Sequence, residues 1–161
     1  MKRSWQLVAG AAALFMTSAA STFAQELDTA YHPAPPAGMR LYGFSWGSLT
    51  IGKGVLQNFA PMQPPIQIPV GFYVVKHPKG YVLFDTGCND KVISDPGYWG
   101  PLYKALVPTA TEGMGIDQQL AKIGVRPDDI KYVVVSHMHL DHGANIAKFR
   151  NSTLIPCWRC R

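Results

Sequence analysis

The period of apolar and polar positions changes several times along the chain, and each change marks an element. Residues 39–50 alternate weakly and carry Tyr42, Phe44 and Trp46, as a first strand would. Residues 60–69 hold four prolines and read as a loop. Two runs rich in β-branched and aromatic residues follow, 70–76 (VGFYVVK) and 81–84 (YVLF), joined by His77-Pro78-Lys79-Gly80. So short a connection predicts an antiparallel hairpin. Residues 90–111 run through three prolines and three aromatics, which predicts a long surface loop or lid that includes a short helix. In 115–124 (GIDQQLAKIG), Ile116, Leu120 and Ile123 share one helical face, and Gly124 supplies a stop. Pro127-Asp128-Asp129 starts a turn, and 130–135 (IKYVVV) is apolar enough to predict a strand buried on both faces. A further helix and strand are expected at 144–149 and 153–155.

The two ends differ from this body. Lys2 and Arg3 precede an apolar stretch at 7–16 (LVAGAAALFM), which is too short to span a bilayer, a task needing about 20 residues. Thr22-Phe23-Ala24 offers a small-x-small site. Together they predict an exported chain with a signal peptide at 1–24, cleaved after Ala24, and a periplasmic or secreted product. A buried N-terminal helix or a retained anchor is the competing reading. Residues 25–38 form a proline-rich leader that includes His32. At the other end, Cys157 and Cys160 frame a Cys-x-x-Cys pair with no helix to follow, unlike a thioredoxin-type redox site. Residues 156–161 therefore read as an atypical tail, whether disulfide-paired or the product of a frameshift. Cys88 leaves the cysteine count odd.

Charge narrows the partners. The formal net charge is +5, yet residues 25–149 carry ten Lys/Arg against ten Asp/Glu, and the excess sits at the termini. A nucleic-acid footprint needs cations clustered on the folded body, so that class is set aside. No stable membrane association is expected once the leader is removed.

Chemistry is concentrated in one place. Three of the five histidines fall within six residues, as His-x-His-x-Asp-His at His137, His139, Asp141 and His142, directly after the apolar strand. Imidazole and carboxylate are ligands of borderline-soft divalent metals. A run this dense at a strand end points to metal ligation, where a lone histidine would read as a helix cap or surface residue. His32 and His77 are read in that second way.

These residues resemble the signature of the metallo-β-lactamase-fold hydrolases, and Phe84-Asp85-Thr86-Gly87-Cys88 resembles the Asp-Thr-Gly element of the same family. With Ser136 before the first histidine, the likeness leans toward the N-acyl homoserine lactone lactonase branch. The resemblance implies an α/β (α+β) fold, an αββα sandwich, of which residues 39–155 would be only the N-terminal half. It further implies two divalent metal ions, most readily Zn2+, the first held by His137 and His139 and the second by Asp141 and His142. A bridging water with its pKa lowered toward about 7 would attack a lactone carbonyl, and Asp141 would pass a proton to the leaving alkoxide as a catalytic residue. Asp85 would orient the ligand loop from behind; an Asx-turn at the strand end is its alternative role.

No histidine follows His142 and no acid follows Asp141, so the chain holds four of about seven ligands that the resemblance implies. The chain by itself is therefore expected to bind metal weakly and not to turn over. Thioesterase and β-lactamase activity are alternatives within the fold. A non-catalytic product, including half-sites completed between two chains, and a redox protein using Cys157 and Cys160 are alternatives outside it.

Overall fold

β-Branched and aromatic runs form the strands of one mixed sheet. The computed structural model describes residues 34–156. The signal segment, His32, most of the leader, Cys157 and Cys160 lie outside the described residues. The strands are β1 (Arg40–Gly52), β2 (Pro65–His77), β3 (Gly80–Phe84), β4 (Pro108–Thr109), β5 (Ile130–Val135) and β6 (Thr153–Pro156). Their order across the sheet is β4-β1-β2-β3-β5-β6. β1, β2, β3 and β4 pair antiparallel, whereas β3–β5 and β5–β6 are parallel. The expected hairpin is present, with His77 opposite Gly80 across a two-residue turn.

Three short helices, α1 (Lys91–Ser94), α2 (Pro101–Leu106) and α3 (Ile116–Ala121), supply the rest of the regular structure. Ile116 and Leu120 of α3 and Val92 of α1 are buried with Trp46, Leu49, Phe72, Val74, Leu83, Val133 and Val135 in a single core on one face of the sheet. Gly124 closes α3 in the left-handed region at φ +70°, where glycine carries no Cβ penalty. Among the described residues, no helix is long and apolar enough to cross a membrane.

Four expectations need correction. The proline-rich stretch 60–69 is a loop only in its first half, because β2 starts at Pro65. Among the described residues, 65–72 pair with β1 alone, which leaves their other edge free. Pro65 and Pro69 are four residues apart and therefore face the same edge, where a missing N–H breaks no ladder. The segment 90–111 holds more than the one short helix expected of a surface loop: α1, α2 and a 3-10 turn at Pro96–Trp99 precede β4, which pairs with β1. Residues 144–149 form only a 3-10 turn, Ile146–Lys148; so short a run cannot carry helix nucleation while Asn145 and Phe149 are each pinned by burial. Finally, β5 is not buried on both faces. Ile130, Val133 and Val135 are buried, but Tyr132 and Val134 are only half-buried, since no described residue covers the opposite side of the sheet.

Candidate metal centre

Two adjacent parallel strands end side by side, and the loops that leave them meet. β3 delivers Asp85 and β5 delivers Ser136 and the histidine run; Phe84 and Val134 are register partners. Crevices beyond the carboxyl ends of parallel strands are where such folds gather functional side chains. The N–H of Asp85 donates to the Val134 carbonyl at 2.8 Å, extending the ladder by one bond. Asp85 itself is buried and sits at φ +59°, a left-handed conformation that aspartate tolerates better than most residues.

The ligand loop is fastened to the Asp-Thr-Gly loop by a dense set of hydrogen bonds. The Thr86 N–H and hydroxyl both donate to the His142 carbonyl, at 2.6 and 2.9 Å. Asn145 is buried; its N–H donates to Thr86 Oγ1, and its side-chain amide donates to the carbonyls of Thr86 and Cys88. Within the loop, the His142 and Gly143 N–H groups both donate to the His139 carbonyl.

Asp85 orients the histidines from behind. Its Oδ1 accepts from the Ser136 N–H at 2.7 Å, and its Oδ2 accepts from the Ser136 hydroxyl at 2.9 Å. Oδ2 also lies 2.9 Å from His142 Nδ1, and Ser136 Oγ lies 3.0 Å from His137 Nδ1. Every proton in this set has a partner when both histidines are protonated at Nδ1. That tautomer turns both Nε2 lone pairs outward. Burial, followed by the neighbouring His142 and His139, holds His137 below the ordinary histidine range, which favours its neutral, ligating form.

The exposed ends converge. Ligand atoms of His137, Asp141 and His142 all lie within 4.8 Å of one another. His142 Nε2 is 3.3 Å from Asp141 Oδ2, and His139 Nδ1 is 3.1 Å from His137 Nε2. All four residues of the motif thus meet at one place, with Asp85 directly behind. Two imidazoles and a carboxylate at these separations suit a divalent ion with metal–nitrogen distances of about 2.0–2.1 Å, so the donor set fits the group that the motif implies.

Three contributors were not visible as site residues in the sequence. The Ser136 hydroxyl joins Asp85 to His137, and Asn145 bolts the two loops together. Asp90, expected to begin a surface loop, is a half-buried hub that accepts from Trp46 Nε1, the Ile116 N–H, Asn145 Nδ2 and Lys148 Nζ. The recurrence of Asn and Asp just beyond each loop was the available signal. Cys88 is buried nearby, and burial with the charges of Asp141 and Asp90 pushes its thiol up, so it stays protonated and is no nucleophile. An apolar pocket of about 220 Å3 opens beside the ligands, lined by Leu49, Ile51, Val55, Leu56, Ile68 and Leu106 as well as His139, Leu140 and Asp141.

Known proteins resemble the chain in sequence and in fold. The N-acyl homoserine lactonase AttM of Azorhizobium caulinodans is 37% identical over 118 residues, and that of Agrobacterium fabrum is 40% identical over 118 residues. Each alignment covers 73% of this chain and 45% of the relative, so the chain spans about half the length of the curated relatives it matches. An AiiA variant from B. thuringiensis, solved with N-decanoyl-L-homoserine at its active site, superposes with a TM-score of 0.63 at 26% identity, over 71% of this chain and 46% of that one. A hydrolase solved with N-hexanoyl-L-homoserine at its catalytic metal centre gives the same TM-score. The sequence profile of the metallo-beta-lactamase superfamily matches residues 68–160, well over half the chain, and the chain belongs to that superfamily.

Proposed function

We propose that this chain carries the metal-binding half of a lactone hydrolase acting on N-acyl homoserine lactone-type substrates. The observation that carries the reading is the adjacency of the His137–His139–Asp141–His142 cluster to the apolar pocket, whose wall includes His139 and Asp141. At about 220 Å3 the pocket is smaller than a typical whole-ligand site. It suits an acyl tail while the polar ring lies over the ligands. The lactonases named above support the choice of a lactone over other acyl compounds.

His137 and His139 would hold one divalent ion, and Asp141 and His142 a second, zinc being the readiest choice for imidazole and carboxylate. Such ions would supply an activated water and polarise the carbonyl under attack. The protein's own contributions are separate. Asp85 and Ser136 fix the histidine rings. The pocket positions the acyl group and excludes water along Leu49, Ile51 and Ile68. Asp141, at the boundary between pocket and ligands, would take the proton that the attacking water gives up and pass it to the alkoxide released when the ring opens. Turnover belongs to a chain that also carries the remaining ligands, and metal capture to the residues described here.

The test has two parts. Titration of the 161-residue chain with Zn2+ should show binding that His137→Ala and His142→Ala each weaken at least tenfold. A version extended to the length of the relatives, assayed by pH-stat, should open N-hexanoyl and N-decanoyl homoserine lactones and lose that activity in EDTA. Preferential cleavage of a thioester or a β-lactam would reassign the substrate while leaving the metal site intact.

A further inference from the structure

We propose that Asp90 is a positioning residue of the metal centre, setting the backbone of His142 through Asn145 and Thr86; the inference rests on the metal-binding reading above. Asp90 and Asn145 grip each other at two points. The Asp90 N–H donates to Asn145 Oδ1 at 3.2 Å, and Asn145 Nδ2 donates to Asp90 Oδ1 at 3.1 Å. A donor facing one end of the amide and a carboxylate facing the other decide which end carries the oxygen. That orientation turns the amide nitrogen toward the carbonyls of Thr86 and Cys88, at 2.9 and 2.6 Å. The Asn145 N–H adds a bond to Thr86 Oγ1 at 3.1 Å. Thr86, held at its carbonyl and its hydroxyl, presents its own N–H and O–H to the His142 carbonyl.

Asp90 is itself fixed by elements outside the ligand loop. Its Oδ1 accepts from Nε1 of Trp46 on β1, and its Oδ2 accepts from the Ile116 N–H that opens α3. Trp46 and Ile116 are both fully buried, so these two donors belong to the packed core. Gly115 makes room for the second contact, since a Cβ there would stand 3.1 Å from Asp90 Oδ2. Lys148 Nζ, 2.7 Å from the same oxygen, draws the far end of the ligand-bearing segment to the same point. One carboxylate thus ties β1 and α3 to the residues that directly follow the histidine run. Such a tie matters for a metal because sound ligand distances hold to within about 0.2 Å. Asp85 orients the His142 ring but not the backbone that carries it. A His142 backbone free to drift would carry Nε2 away from Asp141 Oδ2, which now lies 3.3 Å off. Ring and backbone therefore have separate controls, and the second of them is anchored at Asp90.

Titration of the full chain with Zn2+, read by calorimetry, and with Co2+, read by visible absorption, tests this. Asp90→Ala should weaken Zn2+ binding about tenfold, the lower end of the range for groups that orient ligands, and shift the Co2+ bands. Asn145→Ala should do the same and the double variant no more, because two links of one path do not add. Independent effects would instead multiply to about 100-fold. Gly124→Ala, strained at φ +70° with nothing within 4 Å of its Cβ, should melt lower yet keep wild-type affinity and spectrum. That control separates positioning from general stability. If Asp90→Ala does not fold, Asp90→Asn carries the same comparisons, since it keeps the side chain's size but offers one acceptor oxygen to four donors. An unchanged affinity in the Asp90 variant overturns the proposal. So do additive losses in the double variant, or an equal loss in Gly124→Ala. A wild-type chain that captures no Zn2+ overturns the metal reading itself, and the proposal with it, before any substitution is compared.

Discussion

Oδ2 of Asp85 stands 2.9 Å from Nδ1 of His142, and this contact decides which nitrogen of that ring faces the ligand cluster. The same carboxylate accepts two bonds from Ser136, so one buried group sets both the ring orientation and the path of the chain out of β5. Its left-handed backbone is part of the same arrangement, since it turns the side chain from the end of β3 toward the neighbouring strand.

Asp85→Asn should therefore weaken metal binding without touching a ligand. The amide has one acceptor oxygen where the carboxylate serves the Ser136 N–H, the Ser136 hydroxyl and His142 Nδ1. Loss of such an outer partner typically costs 10- to 100-fold in metal affinity. Zn2+ titration should show that loss, together with roughly 1–3 kcal/mol less stability from the bonds left unmade. An affinity equal to wild type would mean that the histidines orient themselves without Asp85.

Gly87 and Gly124 separate backbone strain from steric clash. Their φ angles are nearly equal, +69° and +70°. A Cβ at Gly124 would meet nothing within 4 Å, whereas one at Gly87 would stand 3.0 Å from Cβ of the buried Trp46. Gly124→Ala should cost about 1–2 kcal/mol from the left-handed conformation alone. Gly87→Ala should add about 1–3 kcal/mol of overpacking, and urea midpoints at constant m-value will resolve the difference.

The hairpin, the α3 helix and the approach of β5 to the histidine run were legible in the sequence because period and punctuation agreed there. Gly80 opens β3 just before its apolar run, and Gly124 stops α3 where the apolar pattern does. The prolines at 65 and 69 were misleading because proline signals a loop locally, while the free edge that tolerates it is set by which strand pairs on the far side. Likewise, IKYVVV is apolar at every other core position and also between them, so composition alone could not show that Tyr132 and Val134 face an uncovered side. The histidine motif was legible as chemistry because its spacing is local. Ser136, Asn145 and Asp90 act through partners far along the chain, from 26 residues between Asp90 and Ile116 to 59 between Asn145 and Thr86, and no local pattern carries that information.

Asn145→Ala should be among the more damaging single changes outside the apolar core. The residue is buried, donates to two carbonyls and to Asp90, and accepts from the Asp90 N–H. Truncation strands several buried polar groups at once, for an expected loss of about 2–3 kcal/mol. Asn151→Ala, which removes only an exposed bond to Asp128, should stay within about 0.5 kcal/mol. Equal denaturation midpoints for the two variants would show that the clamp between the loops contributes nothing to stability.

Lys148 gives the fold a defined sensitivity to alkali. Its ammonium lies 2.7 Å from Asp90 and 2.5 Å from Asp117. Partial burial by itself would lower its pKa, but the hydrogen bonds to Asp117 and Asp90 outweigh that and raise it above the ordinary 10.5. A group whose pKa is raised on folding stabilises fully below its unfolded value, and that contribution disappears as pH rises through the folded value. The wild-type melting temperature should therefore decline above about pH 10.5 in a step that Lys148→Met lacks. Below that pH the two proteins should differ by a constant offset, with the variant less stable because Asp90 keeps its other donors but loses the Lys148 ammonium. Parallel profiles through pH 11 would show that the ion pairs make no net contribution, leaving Trp46, Ile116 and Asn145 to hold Asp90 on their own.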